Sequence, residues 1–433
     1  MLRSRRAALL VIALNYFILT MGFNTWQSLF NNFAVDELHI RAEQIGLVQS
    51  IREIPGLLGF LVSLLALFLA EMRIAGLSVV LMGLGIWLTA TVHGMPGLIG
   101  ATLLMSTGFH FFSASNASAV LLAVDTDEAP RLMGRLNSIG ALATALGTVL
   151  IFGTLGTWGY RTLLAVTGGL VFVFGALLLP FGHQPRRVRS GKQLRALRGR
   201  YWLYYALQFL WGSRRHIFTT FAIYLLVKNY AVSAQAIAVL SFLNSLIGTY
   251  LHQALGKMVA RFGERRVLTV NFVLLAAIFI GYALVPQMRA LHSPPFLLPA
   301  LALGGHTLFP ALPSSPALLI LLGLFVADNV LFGFSIALEC YLQRIAVSAE
   351  DITPNVSLGQ TINHIAAVII PVVGGVVWAT VGPRYTFITG VVIALAALVI
   401  TQWMQPRAAG STLVCPVRTC PSGEGNERGR VRL

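Results

Sequence analysis

Three consecutive cationic or cationisable residues, Arg214, Arg215 and His216, interrupt an apolar stretch over residues 201–227. At 1.5 Å per residue that stretch is long enough to cross a hydrocarbon core of roughly 30 Å. Arginine at such a depth costs about 2.5–3.5 kcal/mol on insertion scales, and charged residues there face a protein interior or a water-filled cavity. A lone lipid-facing helix cannot carry two of them. The trio therefore demands a polytopic bundle with a polar pathway through it.

Composition agrees. The 433 residues are 56% hydrophobic and 11% charged, with a mean hydropathy of +0.77. A soluble domain carries about twice that charged fraction. Apolar runs predict twelve helical spans near 7–33, 44–70, 74–93, 97–123, 134–157, 162–181, 201–227, 235–259, 266–286, 316–343, 357–380 and 384–404. Residues 288–315, apolar but broken by five prolines and two glycines, read as an external loop that is partly re-entrant. The opening Arg3-Ser4-Arg5-Arg6 precedes an apolar run without a small-residue cleavage site, so it starts an uncleaved first span. Cys340, Cys415 and Cys420 are too few for a disulfide framework and read as reduced thiols.

Basic residues set the expected orientation. With the N-terminus inside, cytoplasmic segments hold 23 Lys/Arg and external loops five, namely Arg41, Arg161, Lys228, Arg289 and Arg384. Both termini are expected in the cytoplasm of a bacterial inner-membrane protein, with a basic linker over 182–200 and a disordered tail over 405–433. The net charge of +16 is thus explained by topology and anionic lipid, and no nucleic-acid partner is expected.

The chain also repeats. An offset of 192 sets ELHIRAEQIGLV (37–48) against NYAVSAQAIAVL (229–240), each a loop opening the second span of its half. Near the end of each half, Gly159-Tyr160-Arg161 and Gly382-Pro383-Arg384 open a last span. Two ordered matches with parallel hydropathy indicate a duplicated six-span unit: residues 1–181 and 201–404.

The segment GKMVARFGERRVL (256–268) resembles the loop signature of the major facilitator superfamily, G-x-x-x-D-R-x-G-R-R. Gly256, Arg261, Gly263 and Arg265 match in spacing, whereas Ala260 replaces the acid and Glu264 an arginine. The first-half equivalent, LAEMRIAGL (69–77), keeps only Arg73. This resemblance implies an all-α membrane protein of two pseudo-symmetric six-helix bundles, which rock about a central site. It also implies that spans one, four, seven and ten line the cavity, and that the 256–265 loop acts in gating.

Each of those four spans carries polar groups at helical spacing. The first has Asn24, Gln27 or Ser28, and Asn31; the fourth has Ser106, His110 and Ser113. The seventh has the cationic trio, with His216 the counterpart of Asn24, and the tenth has Asp328, Asn329, Ser335 and Glu339. The substrate-binding candidates are Arg214, Arg215, His216, Asn24, Gln27, His110 and Asn329. The proton-coupling candidates are Asp328, Glu53 and Glu339. Asp328 and Glu339, eleven residues apart, are expected on one face about 16 Å apart. One arginine is expected to pair with Asp328 while the other faces solute, because adjacent helix positions point about 100° apart; the competing reading makes all three charges a structural network.

Arg52-Glu53 in the second span reads equally as a gate or proton site and as a local pair. His110, His252 and His364 are single histidines within spans, and no two have metal-ligand spacing; neither metal nor cofactor is expected. Pro371 with Gly374-Gly375 in the eleventh span resembles an element that family antiporters carry in the fifth, where this chain has Gly140, Gly147 and Gly153 without proline. The sequence has no H-E-x-x-H and no Walker-type loop, which argues against an embedded protease or ATP-driven pump. The reading is a monomeric secondary transporter of a small anionic or zwitterionic solute, coupled to protons. The alternative is an efflux permease for amphipathic drugs or metabolites whose Arg/Asp group is purely structural.

Overall fold

The computed structural model describes residues 2–40, 42–181, 199–232, 234–303, 306–309 and 311–405. Most of the basic linker and the tail from 406 onward, with Cys415 and Cys420, lie outside the described residues. The first half comprises α1 (Leu2–Asn32), α2 (Ala42–Arg52), α3 (Ile54–Leu57), α4 (Leu61–Leu65), α5 (Glu71–Thr89), α6 (Met95–Ala123) and α7 (Ala129–Leu178). The second half comprises α8 (Trp202–His216), α9 (Ile223–Tyr230), α10 (Ala234–Phe262), α11 (Glu264–Leu284), α12 (Pro316–Leu331), α13 (Ile336–Ile345), α14 (Ile352–Thr380) and α15 (Pro383–Thr401).

Among the described residues nine helices are long and apolar enough to cross a membrane. One of them, Ala129–Phe181, has 53 residues, about 80 Å if straight and so enough for two crossings. It bends at Gly159, where φ is 70° and ψ 173°. The helical segments over 202–230 and 234–262 are also long enough to cross. The first of them carries the cationic trio, which lowers its mean hydropathy; a charge that faces protein does not prevent a span. With both legs of the bent helix counted, these segments are consistent with the twelve spans expected.

Backbone geometry carries the repeat further than residue identities do. Among the described residues His39 and Ala231 are the non-glycine positions with positive φ, 53° and 52°, and they are 192 residues apart. The amide of Ile40 donates to Ala34 O at 2.9 Å, and that of Val232 to Leu226 O at 3.1 Å. Both are six-residue closures of the kind that end helices, at the same offset. Gly159 and Gly382 likewise share positive φ, 70° and 114°, at the turn that opens the last span of each half; a side chain there would be strained.

Packing follows the same symmetry. Helix α1 packs on α7 as α8 packs on α14, and α5 packs on α7 as α11 packs on α15. The halves meet where α7 packs on α10, where α14 packs on α3, α4 and α6, and where α13 reaches α6 and α7. Pro371 lies inside α14, which continues through it.

The hydrogen bonds described here between the halves run from the face that bears the chain ends to mid-depth. At that terminal face Gln343 Nε2 donates to Leu121 O and Val124 O, at 2.7 and 2.8 Å. Thr353 Oγ1 donates to Glu71 Oε1 at 2.8 Å, and farther in the Phe60 amide donates to Thr361 Oγ1 at 3.0 Å. Leu121, Leu122, Val124 and Ala129 of the first half belong to the apolar core of the second. The two bundles are therefore sealed together at the terminal face.

The 256–265 loop lies at this seal. A Cβ on Gly256 would stand 2.4 Å from Pro130 O, so glycine sets how closely α10 approaches α7. Gly263 turns the chain with φ 79°. Arg265 donates to Gln402 Oε1 at 3.3 Å, and Arg261 lies over the Phe262 ring at 5.3 Å. Glu264, where the signature has arginine, pairs with Arg344 of α13 at 3.1 Å.

Among the described residues, 288–315 contain no membrane-length helix, as expected of a loop, and build two small antiparallel pairs: β1 (Phe296–Leu298) with β4 (Leu312–Ser314), and β2 (Leu301–Leu303) with β3 (His306–Phe309). Prolines spaced through the run prevent a continuous helix, and the short apolar pieces between them pair as strands. Gly256→Ala is expected to cost the sealed conformation about 1–3 kcal/mol through overpacking; a lowered Tm of the purified protein checks this, and an unchanged Tm contradicts it.

Candidate functional site

The sequence placed two arginines side by side, and the fold gives them different surroundings. Arg214 and Asp328 are both fully buried and meet at 2.7 Å, Nη2 to Oδ1. The Arg214 guanidinium also lies over the rings of Phe332 at 4.1 Å and Trp211 at 5.2 Å. This pair ties α8 to α12 inside the second bundle. Arg215, one position on and about 100° around the helix, lines a central cavity of about 440 Å³. Its Nη2 contacts His216 Nε2 at 3.3 Å, and its buried Nε has no partner.

Directly after His216 the helix widens into a π-turn over Ile217–Ala222 before α9 resumes. Such widenings reset the register of a helix and recur at functional sites. They have no hydropathy signal, so nothing in the residue pattern marks this one.

Residues of both halves meet in the cavity: Tyr16 and Asn24 of α1, Asn116 of α6, Asn137 of α7, Gln208 and Arg215 of α8, Glu339 of α13, and Asn363 of α14. A second cavity of about 510 Å³ adjoins it and shares Tyr16, Asn24 and Asn137; Asn329 lines this one. Asn24 Nδ2 donates to Thr20 O at 2.8 Å and Asn329 Nδ2 to Phe325 O at 2.9 Å. Phe23 and Phe109 stack at 3.9 Å in the first-half wall. Asn137 and Asn363 lie on the fifth and eleventh spans, beyond the four that the resemblance singled out. Amides within apolar runs were the signal that could have found them.

Asp328 and Glu339 do not share a face. A 3₁₀ segment over Phe332–Ser335 separates α12 from α13. At three residues per turn it rotates the following helix by about 80° relative to an uninterrupted α-helix. Asp328 consequently turns into the bundle toward Arg214, while Glu339 lines the cavity and accepts from Gln208 Nε2 at 3.2 Å.

A second cluster gathers Gln27, Arg52, Glu53, His110 and His364. Pro55 restarts the helix as α3, so Arg52 and Glu53 lie at a break. Arg52 donates through Nη1 to Gln27 Oε1 and through Nη2 to Glu53 Oε1, the latter at 2.8 Å. The other Glu53 oxygen lies 3.1 Å from His364 Nδ1 and 4.0 Å from His110 Nε2. The histidine rings meet edge to face at 4.5 Å, and Ser106 bonds His110 at 2.9 Å. Glu53 and His364 are 311 residues apart, so this contact joins the halves at mid-depth.

Sequence spacing gave no metal site, yet the fold brings ligand-type atoms of Glu53, His110 and His364 within 4.8 Å of one another. Two imidazoles and a carboxylate suit a transition metal. However, Arg52 already holds one Glu53 oxygen, and Arg215 acts on the same carboxylate. Two guanidinium charges oppose a dication there. The cluster suits a proton shared between carboxylate and imidazole.

Two helical bundles, joined at one face around a cavity lined by both, form the architecture of a membrane transporter. The sequence model of the Major Facilitator Superfamily matches residues 12–322, and the chain belongs to that family. FucP in its outward conformation is similar over 93% of this chain and 99% of its own, with 14% identity and a TM-score of 0.70. A bacterial homologue of the iron transporter ferroportin, outward-facing, covers 91% and 98% with 14% identity and a TM-score of 0.68. The human organic anion transporter MFSD10 (TETRAN) covers 92% and 99% with 15% identity and a TM-score of 0.61. No curated protein sequence matches this chain.

The buried pair makes a sharp prediction for stability. Arg214→Met or Asp328→Asn alone leaves one buried charge unpaired and is expected to cost about 3–5 kcal/mol. Replacing both with apolar residues, Arg214→Met with Asp328→Leu, should recover most of it. Thermal unfolding of the three variants measures this, and a single variant as stable as the parent contradicts the pairing.

Proposed function

We propose that this chain is a proton-coupled secondary transporter of a small organic anion or zwitterion, with Arg215 contacting the anionic group. The observation that carries this is the division of labour between neighbouring arginines. Arg214 is paired with Asp328 away from the cavity, whereas Arg215 borders the cavity. A buried guanidinium without its own carboxylate is costly, and an incoming anion offsets that cost. The organic anion transporter among the structural relatives shows that this fold accommodates such cargo.

The basic-residue bias supports a cytoplasmic location for both termini and so for the sealed face. On that orientation the cavity opens outward, the conformation named for FucP and the ferroportin homologue. Proton coupling is assigned to Glu53 with His364. The pair crosses the interface, so protonation changes the attraction between halves that must separate. Asp328 keeps a structural role, and Gln27 and His110 support Glu53 rather than solute.

Two measurements test this reading. In a thermal-shift screen against organic anions, amino acids and drugs, an anionic or zwitterionic compound should raise the Tm of the parent but not of Arg215→Gln. Stabilisation by neutral drugs alone, unchanged in the variant, favours the amphipathic efflux reading instead. In proteoliposomes with an imposed pH gradient, Glu53→Gln should retain solute exchange at equilibrium while losing gradient-driven accumulation. Full accumulation by this variant contradicts the coupling role.

A further inference from the structure

We propose that the solute is a zwitterion whose carboxylate meets Arg215 and whose ammonium meets Glu339, with several bonds between the two charges. This deepens the anion reading above and rests on it. Gln208 and Arg215 are seven residues apart on α8, hence on nearly the same face and about 10 Å apart along the axis. Gln208 Nε2 donates to Glu339 Oε1 at 3.2 Å, which fixes the carboxylate beside the end of that face nearer the terminal seal. Arg215 and Glu339 line one cavity, and each keeps a buried polar atom without a partner, Nε in one and Oε2 in the other.

Direct pairing is prevented by that separation. Arg215 lies two helical turns from the residue that holds Glu339. The neighbouring cations are committed elsewhere: Arg214 to Asp328 at 2.7 Å and Arg344 to Glu264 at 3.1 Å. A carboxylate served only by neutral groups, the Gln208 amide and the neighbouring Tyr204 hydroxyl, remains without a countercharge in a low-dielectric site. An ammonium ion supplies both charge and donors to it, as a carboxylate does to Arg215. Trp211, on α8 between the two ends, lines the same cavity and offers an apolar wall for the intervening methylenes. The pattern selects a length as well as two charges, since the cavity carries fixed groups of opposite sign at separate depths.

The probes are γ-aminobutyrate and ε-aminohexanoate, with butyrate, hexanoate, butylamine and hexylamine as matched controls. They are titrated against the purified full chain in a thermal-shift assay. One of the ω-amino acids should raise Tm at a concentration at least tenfold below that required by the matched carboxylate. Glu339→Gln should remove the tenfold advantage and leave the carboxylate response; Arg215→Gln should remove the carboxylate response. Glu339→Gln is near-isosteric and Arg215→Gln keeps a shorter polar side chain, and the Tm of each without ligand serves as the folding control. Equal response to carboxylates and ω-amino acids, or an advantage that survives Glu339→Gln, overturns this inference while the anion reading stands. No response to any carboxylate overturns both.

Discussion

The ion pair between Arg214 and Asp328 is the constraint on which the central site depends. Two charges with no exposed surface remain stable at this depth only when each compensates the other. The pair fixes the rotation of α8 about its axis, because Arg214 must face α12. Once that rotation is set, Arg215 cannot enter the same environment. It is directed to the cavity by helical geometry alone. Of the two arginines, Arg214 takes the structural place beside Asp328, and Arg215 is the one left at the cavity.

The second half is organised around this pair, and the first half around a different device. There the helix break at Glu53 and Pro55 exposes a carboxylate to a histidine of the opposite bundle. The terminal seal is made by neutral donors and close helix approach, in the contacts of Gln343, Thr353 and Gly256. Hydrogen bonds and close packing of this kind, including the one that Thr353 donates to the Glu71 carboxylate, separate at lower cost than a buried ion pair. A charged contact between the halves lies at the depth of the cavity, where solute and protons can act on it.

Much of this was legible in the sequence. Hydropathy gave the helical spans, and the 192-residue offset anticipated backbone geometry at His39 and Ala231 that residue identities barely hint at. The adjacency of Arg214 and Arg215 already implied two environments. Illegible were features that depend on local helix winding. The 3₁₀ segment over Phe332–Ser335 moved Glu339 off the Asp328 face, and nothing in the spacing of those residues marks it. The His364 contact with Glu53 spans 311 residues, beyond any local pattern. The strand pairs within 288–315 arise from short apolar pieces whose periodicity is too brief to separate strand from buried loop.

The account stands on the separation of a structural arginine from a solute-binding one, and transport itself measures that separation most directly. The Arg214→Met/Asp328→Leu double variant and Arg215→Gln are compared in proteoliposomes for exchange of whichever anion stabilises the parent. The prediction is that the double variant, lacking both buried charges, still exchanges the solute, whereas Arg215→Gln, with the pair intact, does not. Loss of exchange in the double variant at parental stability, or retained exchange in Arg215→Gln, would contradict it.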